Sequence, residues 1–229
     1  MIKRYQKNMN MLSVEDIKKV NSTKVCVIGC GGLGGHVIES LARLGFETIT
    51  AVDKDVFDET NLNRQIYSNR RTMGLPKAQV TMKFIKNINT RCNINTMTLA
   101  YDARLGKKII KNHDIVVDAV DNIATKLLLE KDCEELNIPL IHGAIGGWYG
   151  QLAIVMPGSR IISKVYADND SGIETELGNP SFTPAVVANL MVAEVLKLTL
   201  NKDEALINKL LMINLLEYEH NIIEFKNKD

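Results

Sequence analysis

Three observations predict an α/β fold: a doubly wound, Rossmann-like, mostly parallel sheet with a small antiparallel extension at the C-terminal end. A short apolar run, Lys24 to Gly29, enters a glycine-rich turn and is followed by helical spacing. Strand-like and helix-like segments then alternate to about residue 150. Beyond that point the strand-like runs succeed one another without long crossovers.

Taken in order, Lys24 to Gly29 (KVCVIG) reads as a buried strand, and Val37, Ile38, Leu41 and Leu44 give a helix from His36 to Leu44 one apolar face. Thr48 to Val52 is a second strand, ending at Asp53. Asp55 to Gly74 is polar and irregular, a loop of the length that usually binds something. Lys77 to Ile88 is helical, with Val80, Phe84, Ile85 and Ile88 on one side; Asn93 to Leu99 and His113 to Val120 are strands. Thr125 to Leu136 is a charged amphipathic helix and Pro139 to Ala144 the next buried strand. Gln151 to Met156, Arg160 to Tyr166, Leu210 to Leu216 and Asn221 to Phe225 are expected as strands of the extension. Between them Pro184 to Leu200 reads as a buried helix, apolar around much of its circumference, with Thr183 as N-cap and Pro184 at its first position. The expected division is a nucleotide-binding domain with an N-terminal arm over residues 1–150, and an extension with a crossover segment over 151–229 packed on the same domain.

With 229 residues, 45% of them hydrophobic, the chain can bury one substantial core. Its 28 basic and 27 acidic residues leave a net charge of +1, which argues against nucleic acid or an anionic membrane as partner. The four cysteines, Cys26, Cys30, Cys92 and Cys133, form no C-x-x-C pair, so neither a zinc knuckle nor a disulfide framework is expected, and a reduced cytoplasmic location is. The N-terminus, charged at Lys3, Arg4, Lys7 and Glu15, lacks the apolar core of a signal peptide. Leu136 to Ser159 carries no formal charge and is long enough to span a bilayer, but Pro139, Gly146, Gly147, Gly150 and Pro157 divide it into two short strands around a glycine-rich loop.

The turn fits G-x-G-x-x-G at Gly29, Gly31 and Gly34, between a strand and a helix whose first N–H groups accept phosphate. Asp53, about 20 residues past the turn, is placed to bond a ribose hydroxyl. Both features suit NAD as well as ATP. The loop favours ATP, because Asn61 and Arg64, with Lys77 at the mouth of the next helix, supply polar and cationic partners for three consecutive phosphates. Asp121, just past the strand ending at Val120, is the expected Mg²⁺ anchor, and Asp118, inside the apolar run, is its competitor. His142, on an apolar strand, is expected as a hydrogen-bonded core histidine.

Gly29-x-Gly31-Gly32-x-Gly34, Asp53-Lys54-Asp55, Asn61-Leu62-Asn63-Arg64-Gln65, Gly74-Leu75-Pro76-Lys77-Ala78 and Asp121-Asn122 together resemble the ThiF/MoeB/HesA family, bacterial relatives of the ubiquitin-activating enzymes. The likeness runs from Arg4-Tyr5 to Phe225. It implies an adenylyltransferase that uses ATP and Mg²⁺ to activate the C-terminal glycine of a small ubiquitin-like sulfur-carrier protein ending in Gly-Gly, with release of pyrophosphate. By the same likeness Gly32 and Asp53 hold the nucleoside, Asn61, Arg64 and Lys77 the phosphates and Asp121 the metal, with Asn122 beside it in the nucleotide-binding set. Lys7 stands where the family has an arginine that reaches the ATP of the opposite subunit, which implies a homodimer.

The zinc-binding cysteine pairs and the later catalytic cysteine of many members have no counterpart here, so the resemblance implies no zinc and a separate sulfur donor. Trp148 and Tyr149 stand between core packing and contact with the carrier tail. The acidic crossover Tyr166 to Gly178, with Asp168, Asp170, Glu174 and Glu176, is expected to be solvated and able to cover that tail. Three rivals compete. An NAD-dependent oxidoreductase needs a proton donor that the four histidines do not supply. A tRNA threonylcarbamoyladenosine dehydratase of the same family is disfavoured by the absence of a basic stripe. A non-catalytic scaffold would have no reason to keep Arg64, Lys77 and Asp121 together.

Overall fold

The computed structural model describes residues 3–167 and 174–225. Strands β1 (Lys24–Ile28), β2 (Thr48–Val52), β3 (Asn93–Met97), β4 (Ile115–Asp118) and β5 (Leu140–Gly146) pair in parallel. Strands β6 (Tyr149–Val155), β7 (Lys209–Asn214) and β8 (Glu219–Glu224) continue the same sheet antiparallel, in the order β3-β2-β1-β4-β5-β6-β7-β8. Along β1, Val25 and Val27 enter one core while Cys26 and Ile28 enter the other. A strand covered on both faces has no polar side, which is why KVCVI reads as an unbroken apolar run.

Eight helices flank the sheet among the described residues: α1 (Val14–Ser22), α2 (Gly32–Leu44), α3 (Lys77–Ile88), α4 (Gly106–Ile110), α5 (Ile123–Leu136), α6 (Ile161–Val165), α7 (Glu174–Leu177) and α8 (Phe182–Thr199). The larger core joins α2, α3 and α8 through Leu41, Ile85 and Met191; the opposite one joins α4, α5 and α6 through Ile110, Leu129 and Ile161. Local chemistry sets the ends. Ser13 and Asp16 form a reciprocal capping box on α1, and Gly45, at φ +116°, ends α2 in the left-handed conformation.

The structure differs from the sequence-based expectation in four places. Arg160 to Tyr166, expected as a strand, contains helix α6. Glu130, buried on α5, accepts from the N–H groups of Ile162 (2.6 Å) and Ser163 (2.9 Å), satisfying the first donors of a helix that periodicity does not announce. Helix α8 begins at Phe182, so Thr183 lies inside it and donates its hydroxyl to Gly147 O (2.6 Å) instead of capping. Ala193 and Val186 on α8 are exposed, so the helix is buried on one side only; by length and composition it could cross a membrane, and here it packs on α2 and the sheet. Finally, residue 150 falls within β6, so the expected boundary crosses a continuous sheet. Of the expected acidic crossover, Asp168 and Asp170 lie outside the described residues, and Glu176 is exposed.

The chain leaves β1 for β2 and β3 on one side and returns to place β4 on the other. The loops after β1 and β4 therefore diverge and open a crevice at the carboxyl ends of the parallel strands, where open α/β sheets bind ligands.

Candidate active site

A cleft of about 520 Å³ lies at that point, lined by the glycine turn after β1, the loop after β2, the start of α3 and the end of β4. Gly29 sits at φ +99°, and a Cβ there would come within 2.5 Å of Ala119 O, so the turn tolerates no side chain. Gly31 is the N-cap of α2 without any side-chain cap, which leaves the first N–H groups of a 13-residue helix for a ligand anion. Gly31 and Gly32 line the cleft, whereas Gly34 does not. A Cβ on Gly34 would lie 1.9 Å from Gly29 O, so this third glycine lets α2 pack against the turn.

Asp53 lines the cleft at the end of β2, its carboxylate held by the N–H groups of Cys30 (2.7 Å) and Asp55 (2.8 Å). Burial pushes its carboxyl above the usual range, against the pull of these two donors and of Lys77. The loop that follows is pinned by bridges between Val56 and Pro76 and between Phe57 and Met73, which return the chain to the cleft and set Lys77 at the first position of α3. Lys77 is 8% exposed, lines the cleft and has its ammonium 3.8 Å from Asp55.

Arg64 also lines the cleft, its stem over Gly32 and its guanidinium donating to Thr60 O (3.0 Å) and Asn63 Oδ1 (2.9 Å). Asn61 is different. It is buried and outside the lining, where its side chain closes a capping box with Asp58 and so braces the turn that presents Arg64. Lys7 is exposed on the N-terminal turn and likewise outside the cleft of its own chain, while Tyr5 beside it is buried and accepts from Asn89 (2.8 Å).

Asp121 stands exposed in the lining, and Asn122, also in the lining, spends its side-chain oxygen capping α5 through Thr125 N (2.9 Å). Asp118 is fully buried beneath them. It pairs with Lys126 (3.2 Å) and accepts from His142 Nδ1 (2.7 Å), and these two partners outweigh burial and hold its carboxyl below the usual range. Burial lowers the pKa of His142. The neutral ring donates from Nδ1 to Asp118, leaving Nε2 to accept from the Tyr166 hydroxyl (3.4 Å).

Trp148 stacks on Phe182 with ring centroids 4.5 Å apart, both partly exposed, so the aromatic pair lies at the surface and not in the core. The four cysteines are buried; burial raises the Cys92 thiol to about 11 and holds Cys26, Cys30 and Cys133 well above the ordinary range.

Sequence reading missed Lys126, Gln65 and Asn179, which also line the cleft. For Lys126 a signal existed: it occupies the inner stripe of α5 with Ile123, Leu129 and Cys133, where a buried lysine needs a buried partner.

A doubly wound fold whose crevice joins an uncapped helix N-terminus, the cationic side chains of Lys54, Arg64, Lys77 and Lys126 and the carboxylates of Asp53, Asp55 and Asp121 has the form of a site for an anionic nucleotide. The chain belongs to the ThiF family, whose model matches residues 5–229. It is 29% identical to the SAMP-activating enzyme E1 of Haloferax volcanii, over 97% of this chain and 85% of that one. It is 30% identical to the sulfur carrier protein adenylyltransferase of Thermus thermophilus, over 93% and 83%. Some relatives are longer: the chain spans 57% of the probable molybdopterin-synthase adenylyltransferase of Porphyra purpurea. The crystal structure of E. coli MccB with ATP matches in fold, with a TM-score of 0.85 at 23% identity, covering 100% of this chain and 73% of that one.

Proposed function

We propose that this chain adenylates the C-terminal glycine of a small ubiquitin-like carrier protein, with ATP as donor and pyrophosphate as leaving group. The observation that carries the reading is the meeting of Arg64, Lys77 and Asp121 in one cleft beside the open N-terminus of α2. The relatives' names, a SAMP-activating enzyme and a sulfur carrier protein adenylyltransferase, support the class of substrate.

In the reaction a carboxylate oxygen bonds to the α-phosphorus as the bond to the pyrophosphate oxygen breaks, leaving an acyl-adenylate. Nucleophile and phosphates are all anionic, so the site must supply positive charge and fixed geometry. Arg64, Lys77 and the first turn of α2 do so; the nucleophile is already ionised, so no general base is needed. Asp53 orients the nucleoside through its ribose. For Mg²⁺ the cleft offers the exposed carboxylate of Asp121, while that of Asp55, also exposed in the lining, faces Lys77 at 3.8 Å; the described residues hold no group of three ligating side chains. That donor set fits an ion whose other ligands are phosphate and water oxygens. Bound there, the ion would neutralise charge on the departing pyrophosphate. Because Lys7 lies outside its own cleft, it would reach ATP only in a second copy of the chain, as a homodimer would allow. The buried thiols support release of the adenylate to a separate sulfur donor.

The test is ATP–pyrophosphate isotope exchange, with each Gly-Gly-ended ubiquitin-like protein of the source genome supplied in turn. Carrier-dependent exchange is expected, falling about 10²–10³-fold in Arg64→Ala and Asp121→Ala proteins that keep wild-type circular dichroism. Exchange that needs no carrier would overturn the reading in favour of a small-molecule acid.

A further inference from the structure

Two buried side-chain oxygens on the cleft residues have no hydrogen-bond partner: Gln65 Oε1 and Asn179 Oδ1. Such groups carry a full desolvation cost, and native folds keep few of them without a reason. They belong to one corner of the cleft. The Gln65 amide lies over Gly31, with its nitrogen 3.5 Å from where a Cβ would stand, and Asn63, two residues before Gln65, donates to the backbone oxygen of Asn179 (2.9 Å). On the adenylation reading this is where the phosphates lie, beside Gly32 and Arg64, which also line the cleft.

Both oxygens are acceptors, and a triphosphate offers only acceptors. The amino group of adenine is a donor, but the base belongs with the nucleoside end marked by Asp53, across the glycine turn. The donors that Gln65 and Asn179 lack must therefore come from the other reactant. We propose that the Gln65 and Asn179 side-chain amides recognise an extended peptide tail by accepting its terminal backbone N–H groups, so that the carboxylate is held beside the α-phosphate. This rests on the adenylation reading above and assigns specificity within it. Glycine suits the site because it brings an N–H without a side chain to a corner lined by Gly31 and Gly32. A small-molecule acid without an amide N–H leaves both oxygens unpaired and is disfavoured.

The experiment is a cycle of protein and substrate changes. The carrier active in exchange is remade by ligation with its last backbone amide replaced by an ester, which removes one N–H and keeps the chain length. With wild-type protein the ester is expected to raise the carrier KM about tenfold, the loss of one hydrogen bond. Gln65→Leu, with Asn179→Ala as the second variant, should raise the KM of the amide carrier similarly, and at least one of the two should show no further loss with the ester. The KM for ATP should stay within twofold. The melting temperature of Gln65→Leu should not fall, because the oxygen removed has no partner in the folded chain. Multiplying effects of ester and both substitutions would overturn the proposal while leaving the adenylation reading intact. So would a shift confined to the ATP KM, or a lower melting temperature with the carrier KM unchanged. Absence of exchange with every carrier would overturn both.

Discussion

His142 shows how one residue's surroundings set a property of the whole chain. The ordinary histidine value is 6.5, and burial lowers it in the folded state. Between the lowered value and 6.5 the unfolded chain binds a proton that the folded chain refuses, so stability falls as pH drops through that window and is flat above it. Burial lowers His36 and His113 in the same direction. Urea midpoints are therefore expected to hold between pH 8 and 6.5 and to fall towards pH 5. A His142→Gln protein, whose amide can still donate to Asp118, should show a shallower fall; equal slopes would contradict the assignment. That this histidine is a core residue was readable from the apolar run around it. Lys126, the other partner of Asp118, gave a weaker signal: on a charged helix it reads as solvated unless its place on the inner stripe of α5 is noticed. For Asn61 the motif gives proximity to Arg64 but not the capping box with Asp58 that engages its amide.

At the scale of elements, the contact between β1 and α2 is the least forgiving. A methyl group on Gly34 would fall 1.9 Å from a backbone oxygen, which no side-chain rotation relieves. Gly34→Ala is expected to cost at least about 1–3 kcal/mol of stability, the range of overpacked cores, and to weaken ATP binding by displacing the helix N-terminus. Isothermal titration and thermal melts would check both; unchanged affinity would mean that the turn can shift without disturbing the anion site. The helices were legible from their period of 3.6, which reports the buried face, and the central strands from short unbroken apolar runs, which report burial on both faces. Helix α6 was not, since its start depends on Glu130, distant in sequence and invisible to any local window. The pinning of the loop from Asp55 to Lys77 was hidden likewise, because two isolated bridges, not a pattern of residues, bring Lys77 home.

For the whole molecule, ligand binding and folding draw on the same contacts, so ATP with Mg²⁺ should stabilise the chain. At about 100 times its dissociation constant the gain is about 2.7 kcal/mol, or roughly 5–10 °C in melting temperature for a chain of this size. NAD should give no such shift, and a larger shift with NAD would restore the oxidoreductase reading. The overall architecture was legible because alternation of strand and helix leaves few topologies. That the antiparallel strands join the same sheet was not, since pairing across β5 and β6 is a long-range choice. The cover of α2 by α8 carries a further consequence. Helix α2 lies near the start of the chain and α8 near its end, with Gly32 close to Pro184 and Ser40 bonded to Asn189 (2.8 Å). At translation rates of about 5–20 residues per second, roughly 7–30 s separate the synthesis of the two. Until α8 is made, the side of α2 that it covers stays bare while the other side can already pack on β1, β2 and α3, so Gly32 gains its Pro184 neighbour long after the rest of the glycine turn is in place.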